Sequence, residues 1–139
     1  MTNIRELITT HSKAEKVLKL AGQVGSEFGK QVYVIGGFVR DIFMQNTPKE
    51  IDLMVVGDGI KFAEALAKRL AVKKIIPFKE FSTAKIPHKK IGIDVAAARI
   101  ESYDEKSRKP TKVIYTDLKG DLVRRDFTIN AMAVDILPE

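Results

Sequence analysis

The stretch VYVIGGFVRDIFMQNTPKEIDLMVV, residues 32–56, predicts a strand, a tight turn, a short helix and a second strand. An apolar run rich in β-formers stops at two adjacent glycines, which is typical of a strand end. Residues 38–45 favour a short helix, which Asn46, Thr47 and Pro48 close. The apolar run at 50–56 is the second strand.

The glycine pair predicts an anion-binding site formed by the backbone. Gly36 and Gly37 carry no Cβ, so a bulky anion can lie close to the chain. The N–H groups of a helix beginning there would favour phosphate, and Arg40 could pair with it. Asp41 could orient Arg40 or cap neighbouring N–H groups. The alternative is a tight turn with a surface salt bridge, but GGFVRD directly after a strand favours the anion site.

Two acids open the second strand. Glu50 and Asp52 lie two residues apart, so both side chains leave the same face, whereas Ile51 and Leu53 point into apolar packing. Adjacent carboxylates repel unless a cation lies between them. Mg²⁺ is commonly held by one or two carboxylates together with substrate phosphates. The alternative, a solvated face with two ordinary acids, is weakened by the apolar run on both sides.

A third acid, Asp94, lies in the apolar run KIGIDVAAAR. A half-buried carboxylate there needs a partner. If this strand pairs beside the second strand, Asp94 completes a three-acid cluster. A salt bridge to Arg99 or to a lysine is an equally weighted alternative.

Composition restricts the function classes. The chain has 139 residues, which suits one domain, and it has no cysteine, which excludes disulfides and thiolate chemistry. No apolar run approaches the ~20 residues of a membrane span, and the N-terminus has no apolar signal core. The net charge of +6 fits a solvated basic surface or a polyanionic partner equally well. Two histidines far apart in sequence argue against a histidine metal site.

The rest of the chain gives coarser predictions. Asp58 is expected to cap the helix that follows the turn at 57–59. The other expected elements are a helix over 3–28, a hairpin from strands at 81–86 and 90–99, a mobile loop at 101–112, a short helix at 117–125, and an element of unassigned type at 126–136.

The ordered motifs resemble the DNA polymerase β nucleotidyltransferase superfamily, and within it the branch of class II tRNA CCA-adding enzymes and bacterial poly(A) polymerases. They are GGFVRD at 36–41, EID at 50–52, AAARIES at 96–102 and RRDFTINAMA at 124–133. The resemblance covers roughly residues 30–136. It implies an α/β (α+β) nucleotidyltransferase head, with a small, mostly antiparallel or mixed sheet backed by helices.

The resemblance also implies a reaction and its residues. The reaction is transfer of CMP or AMP from CTP or ATP to a tRNA 3′ end, with Mg²⁺ or alternatively Mn²⁺, in the cytoplasm and without a membrane. Catalytic and metal positions are matched by Glu50, Asp52 and Asp94, and Asp94 could accept the hydroxyl proton. The nucleotide-binding positions are matched by Gly36, Gly37, Arg40, Asp41, Arg124, Arg125, Asp126 and Asn130.

Two departures from the family pattern bear on activity. The first acid is normally aspartate, and Glu50 extends its oxygens about 1.5 Å farther from the backbone. We expect Glu50→Asp to keep or raise activity. The chain also stops at Glu139, so residues 1–139 are expected to be one head domain from the N-terminal part of a protein with neck, body and tail domains. A poly(A) polymerase head and a degenerate nucleotide- or RNA-binding module without catalysis remain the alternatives.

Overall fold

The structure, a computed structural model, describes residues 4–103, 110–115 and 133–136. Its α-helices are α1 (Ile4–Thr9), α2 (Ser12–Phe28), α3 (Gly37–Phe43) and α4 (Gly59–Arg69). Its strands are β1 (Val32–Ile35), β2 (Glu50–Val55), β3 (Ile76–Phe78), β4 (Thr83–Ile86), β5 (Gly92–Ala97), β6 (Arg99–Tyr103), β7 (Pro110–Tyr115) and β8 (Ala133–Asp135). A single 3₁₀ turn spans Lys79–Phe81.

Six strands form one open mixed sheet in the order β3-β4-β5-β2-β1-β8. Only the β2–β5 pair in it is parallel, and the other pairs are antiparallel. The predicted fold class, a small mixed sheet backed by helices, is therefore confirmed. The long connection from β2 through α4 and the β3–β4 pair allows β5 to return beside β2 in the same direction.

Helices cover one face of the sheet and create the main core. The inward side of β2 is fully apolar, with Ile51 0 % and Leu53 1 % exposed. Phe62 and Leu66 of α4 pack into the same core. As predicted, Asp58 caps α4, and its carboxylate accepts hydrogen bonds from the N–H groups of Ile60 and Lys61, each at 3.0 Å.

Among the described residues, the opposite face of the sheet has a small apolar cluster near β1. It consists of Tyr33, Ile35, Met54 and Ala98. The polar side chains of β2, β4 and β5 continue this face, because alternate residues of a strand share a face. The site described below lies there.

The predicted single helix over 3–28 is wrong, because the structure divides it into α1 and α2. The hydroxyls of Thr9 and Thr10 donate to the carbonyls of Glu6 and Leu7, each at 2.7 Å. Threonine side chains that bond their own preceding turn compete with helix continuation. The chain therefore turns at His11 before α2 begins.

The predicted loop at 101–112 is wrong at both of its ends. Residues 101–103 belong to β6 and residues 110–112 to β7, which pair antiparallel as a second, two-stranded sheet. The sequences of the two strands, RIESY and PTKVIY, lack the period-two apolar alternation by which strands are recognised. The remainder of that predicted loop and the predicted helix at 117–125 lie outside the described residues.

Candidate active site

The glycine turn lies at the same end of the sheet as the acids. β1 pairs antiparallel with β2, and Ile35, its last residue, is the partner of Asp52. Gly36 follows with φ 63° and ψ −132°, and α3 begins at Gly37. These dihedral angles are accessible almost only to glycine. The turn thus explains why the sequence has a glycine at position 36.

Three carboxylates meet across β2 and β5. Asp52 is the direct partner of Asp94, and Glu50 is the partner of Gly92. One carboxylate oxygen from each of Glu50, Asp52 and Asp94 lies within 4.8 Å of the other two. The conditional prediction that Asp94 joins the acids of β2 is confirmed in its geometry.

Lys85 of β4 faces this cluster. It is the antiparallel partner of Asp94, and its Nζ lies 3.7 Å from Asp94 Oδ1. Both sequence alternatives for Asp94, the acid cluster and the salt bridge to a lysine, therefore hold together. Lys85 alternates with the buried Ala84 and Ile86, and this alternation was the signal that could have placed it on the acid face.

The charge balance of the site depends on Asp94. Its burial raises the pKa of the carboxyl above the ordinary aspartate value, and the charge of Glu50 raises it further. Lys85 acts in the opposite direction through its charge and a hydrogen bond, but the pKa remains raised. Partial burial and the negative charge of Glu50 thus oppose ionisation of Asp94, and a bound cation would act in the opposite direction.

The acid cluster fits a divalent cation. Its three donors are hard carboxylate oxygens, the ligands that Mg²⁺ and Ca²⁺ prefer, and Mn²⁺ accepts the same oxygens. Asp52 and Asp94 are half-buried while Glu50 is exposed, so the cluster is accessible to solvent on the side of Glu50. An ion held there would retain room for water or phosphate oxygens.

Arg40 and Asp41 form an ion pair beside the glycine turn. Nε and Nη2 of Arg40 both donate to Asp41 Oδ1 at 3.1 Å. Asp41 thus orients Arg40, one of the two roles predicted for it. The side chain of Arg40 is 37 % exposed, so it remains reachable from solvent. Arg124, Arg125, Asp126 and Asn130 lie outside the described residues, and their predicted contacts with a nucleotide stay predictions.

A family model described as "Poly A polymerase head domain" matches residues 32–139. The chain belongs to the poly A polymerase head domain family. The match contains the glycine turn, all three acids and the RRD motif. The family resemblance inferred from the motifs is confirmed.

Named relatives of this poly A polymerase head domain act on tRNA. The A-adding tRNA nucleotidyltransferase of Geobacter sulfurreducens is 42 % identical over 124 residues, which are 88 % of this chain and 14 % of that protein. A solved CCA-adding enzyme, apo form II, has a TM-score of 0.85 and 35 % identity over 99 % of this chain and 32 % of that one.

A third relative was solved with its RNA. The Thermotoga maritima CCA-adding enzyme complexed with tRNA-CCA has a TM-score of 0.78 and 34 % identity. The match covers 99 % of this chain and 30 % of that one. This poly A polymerase head domain therefore spans a third or less of the length of each of these relatives.

In the part of the chain that the structure describes, no helix is long and apolar enough to cross a membrane.

Proposed function

We propose that this chain is the catalytic head of a tRNA nucleotidyltransferase that adds CMP and AMP from CTP and ATP to tRNA 3′ ends. The observation that carries the proposal is the cluster of Glu50, Asp52 and Asp94 beside the Gly36 turn, in a chain of this family. The tRNA-acting relatives support RNA as the acceptor, and the net charge of +6 suits a polyanion.

In the proposed reaction, the 3′-hydroxyl oxygen of the tRNA bonds to the α-phosphorus of the nucleoside triphosphate. The bond from that phosphorus to the β-phosphate oxygen breaks, and pyrophosphate leaves. A divalent ion, Mg²⁺ or Mn²⁺, supplies charge stabilisation of the attacking and leaving oxygens when bound. Glu50, Asp52 and Asp94 would hold it.

Other groups of the chain position the reactants in this proposal. The turn at Gly36 lets the triphosphate approach the backbone at the sheet end that carries Asp52. Arg40, which is held by Asp41, donates hydrogen bonds from its guanidinium to the phosphate oxygens. The parallel N–H groups of a guanidinium match the geometry of a phosphate. Asp94 takes the proton from the 3′-hydroxyl, a role that the family resemblance implies for this acid.

The same residues suit an enzyme that adds only the terminal AMP. This second candidate is favoured by the 42 % identity with the A-adding relative. Both candidates share the acids and the turn, and they differ in which nucleotide is accepted on which tRNA end. We also propose that residues 1–139 act as one head domain of a longer cytoplasmic protein.

The test supplies labelled CTP or ATP to the full-length protein with two tRNA substrates, one ending before CCA and one ending in CC. Incorporation of both nucleotides on the first substrate supports CCA addition, and AMP on the second substrate alone supports A addition. Long AMP tails on any RNA would instead indicate a poly(A) polymerase. Absence of metal-dependent incorporation with every substrate would overturn the proposed function in favour of a binding module.

A further inference from the structure

Gly92 lies directly under the Glu50 side chain. The two residues are partners across the parallel strands β2 and β5, so their side chains leave the same face of the sheet. A Cβ placed on Gly92 would lie 3.4 Å from Glu50 Cγ, 3.9 Å from Oε1 and 4.0 Å from Cδ. All three of its nearest neighbours are thus atoms of Glu50.

The backbone at position 92 does not itself require glycine. Its φ lies outside the positive region that disfavours L side chains, unlike that of Gly36. Glycine inside a strand weakens the strand, and it often marks a place that another group approaches closely. In this strand the approaching group is the Glu50 side chain.

The space above Gly92 has a consequence for the acid cluster. Glu50 begins two residues before Asp52 on β2, so its Cα is about 7 Å farther along the strand. Its carboxylate nevertheless lies within 4.8 Å of the other two acids, because the longer side chain can extend over the bare position. A β-branched residue at 92 would carry methyl groups about 1.5 Å beyond Cβ, whose three nearest neighbours are already atoms of Glu50.

We propose that Gly92 is a positioning residue, which gives Glu50 the space it needs to bring its carboxylate to a divalent cation shared with Asp52 and Asp94. Glu50 and Gly92 thus act as a matched pair. The inference rests on the proposed function, since it concerns the same metal site. It explains how the chain uses glutamate at a position where the family pattern has aspartate.

The test is a double-substitution cycle that measures Mn²⁺ binding to the 139-residue chain without nucleotide. Gly92→Val should weaken Mn²⁺ binding about tenfold, as loss of a supporting neighbour does in other metal sites. In the Glu50→Asp background the same change should cost less than about threefold, because the shorter acid ends before the space above position 92. Gly92→Ala is the matched control and should have little effect, since its Cβ makes only ordinary contact.

Thermal melting separates positioning from folding. Valine is favoured in strands, so the metal-free Gly92→Val chain should melt at an equal or higher temperature than the parent. If Gly92→Val does not fold, Gly92→Ser, which reaches one atom past Cβ, replaces it with a smaller expected loss of the same sign. Unchanged Mn²⁺ binding in a folded variant, or an equal loss in both backgrounds, would overturn the role of Gly92.

Asp52→Asn identifies a failure of the proposed function itself. If Asp52→Asn leaves Mn²⁺ binding unchanged, the three acids are not the metal site and both proposals fail. If Asp52→Asn removes binding while Gly92 and Glu50 show no coupling, only the role of Gly92 fails.

Discussion

Asp52 and Asp94 are direct partners across the parallel strand pair of the main sheet, β2 and β5. Each acid is far from the other in sequence, and the fold brings the two carboxylates together on the sheet face opposite the main core. Burial and the charge of Glu50 raise the pKa of Asp94 despite the nearby Lys85. The electrostatics of this cluster can be tested without a substrate.

The raised pKa of Asp94 predicts a pH-dependent stability of the metal-free chain. Because folding favours the neutral carboxyl, its contribution is fully present below the unfolded-state pKa of about 3.9 and is lost as the pH rises through the raised folded-state pKa. Asp94→Asn should therefore stabilise the chain at pH 7, and the difference should shrink as the pH falls through the raised folded-state pKa and be absent below the unfolded-state pKa of about 3.9.

Urea unfolding with a chelator present, at several pH values, measures this difference. Glu64→Gln, at an exposed position of α4, is the control and should show no such trend. If the Asp94→Asn chain were less stable than the parent at pH 7, burial could not be the main effect on the pKa of Asp94.

Removing Lys85 should strengthen cation binding at the acid cluster. Its Nζ lies 3.7 Å from Asp94 Oδ1, so it competes with any cation for that oxygen. Like charges about 6 Å apart in water-like surroundings, one of them divalent, repel by roughly 1 kcal/mol. Lys85→Met should thus tighten Mn²⁺ binding about threefold to tenfold, and less so at high salt.

Mn²⁺ titration followed by paramagnetic resonance provides the measurement. Lys68→Met, which removes an exposed lysine of α4, should leave the affinity unchanged. Weaker binding in Lys85→Met would show that Lys85 orients Asp94 for the ion, contrary to the expected competition.

The two glycines of the turn should respond differently to alanine. Gly36 has φ 63° and ψ −132°, so Gly36→Ala should lower the free energy of unfolding by about 1–3 kcal/mol. At Gly37 an added Cβ would lie 3.3 Å from Nη2 of Arg40, the end of a flexible side chain that can move aside. Urea unfolding should therefore show a smaller loss for Gly37→Ala, and the opposite order would mean that the strain lies elsewhere.

Arg125 is predicted from the sequence to bind the nucleotide. The prediction rests on the adjacent Arg124, Arg125 and Asp126, where two neighbouring positive charges would repel each other without an anion or acid nearby. Hydrogen bonds to charged groups contribute about 1.5–3 kcal/mol, so Arg125→Ala should weaken ATP binding about tenfold or more. Titration calorimetry measures this, with Lys68→Ala as the control. Equal ATP affinities for the two variants would contradict the prediction.

The sequence was most informative in strands where apolar and polar residues alternate, because one face of such a strand is buried in the core. Ile51 and Leu53 indicated which way Glu50 and Asp52 point, and the structure agrees with that orientation. The pairing of Asp94 with Asp52 could only be stated conditionally, since strand neighbours distant in sequence are set by the packing of α4 between them. The β6–β7 ribbon was missed because its strand sequences, RIESY and PTKVIY, lack period-two apolar alternation.

Two neighbours of the acids were not singled out from the sequence. For Gly92 no sequence signal was present, and only the register of β2 and β5 places it under Glu50. Lys85 lies on the first strand of the predicted hairpin, and its alternation with Ala84 and Ile86 was a signal that could have placed it beside Asp94. Local patterns thus predicted the elements and their inward faces, whereas cross-strand contacts depended on the tertiary fold.

The most direct test of the central claim, that the three acids form the catalytic metal site, is nucleotide transfer by Asp52→Asn. Single-turnover incorporation onto tRNA by the full-length variant, with Mg²⁺ saturating for the parent, should fall about 10³-fold or more, because charge stabilisation by the ion contributes several kcal/mol. The melting temperature of the metal-free variant should be equal to that of the parent or higher. Near-normal transfer by a correctly folded Asp52→Asn protein would contradict the account.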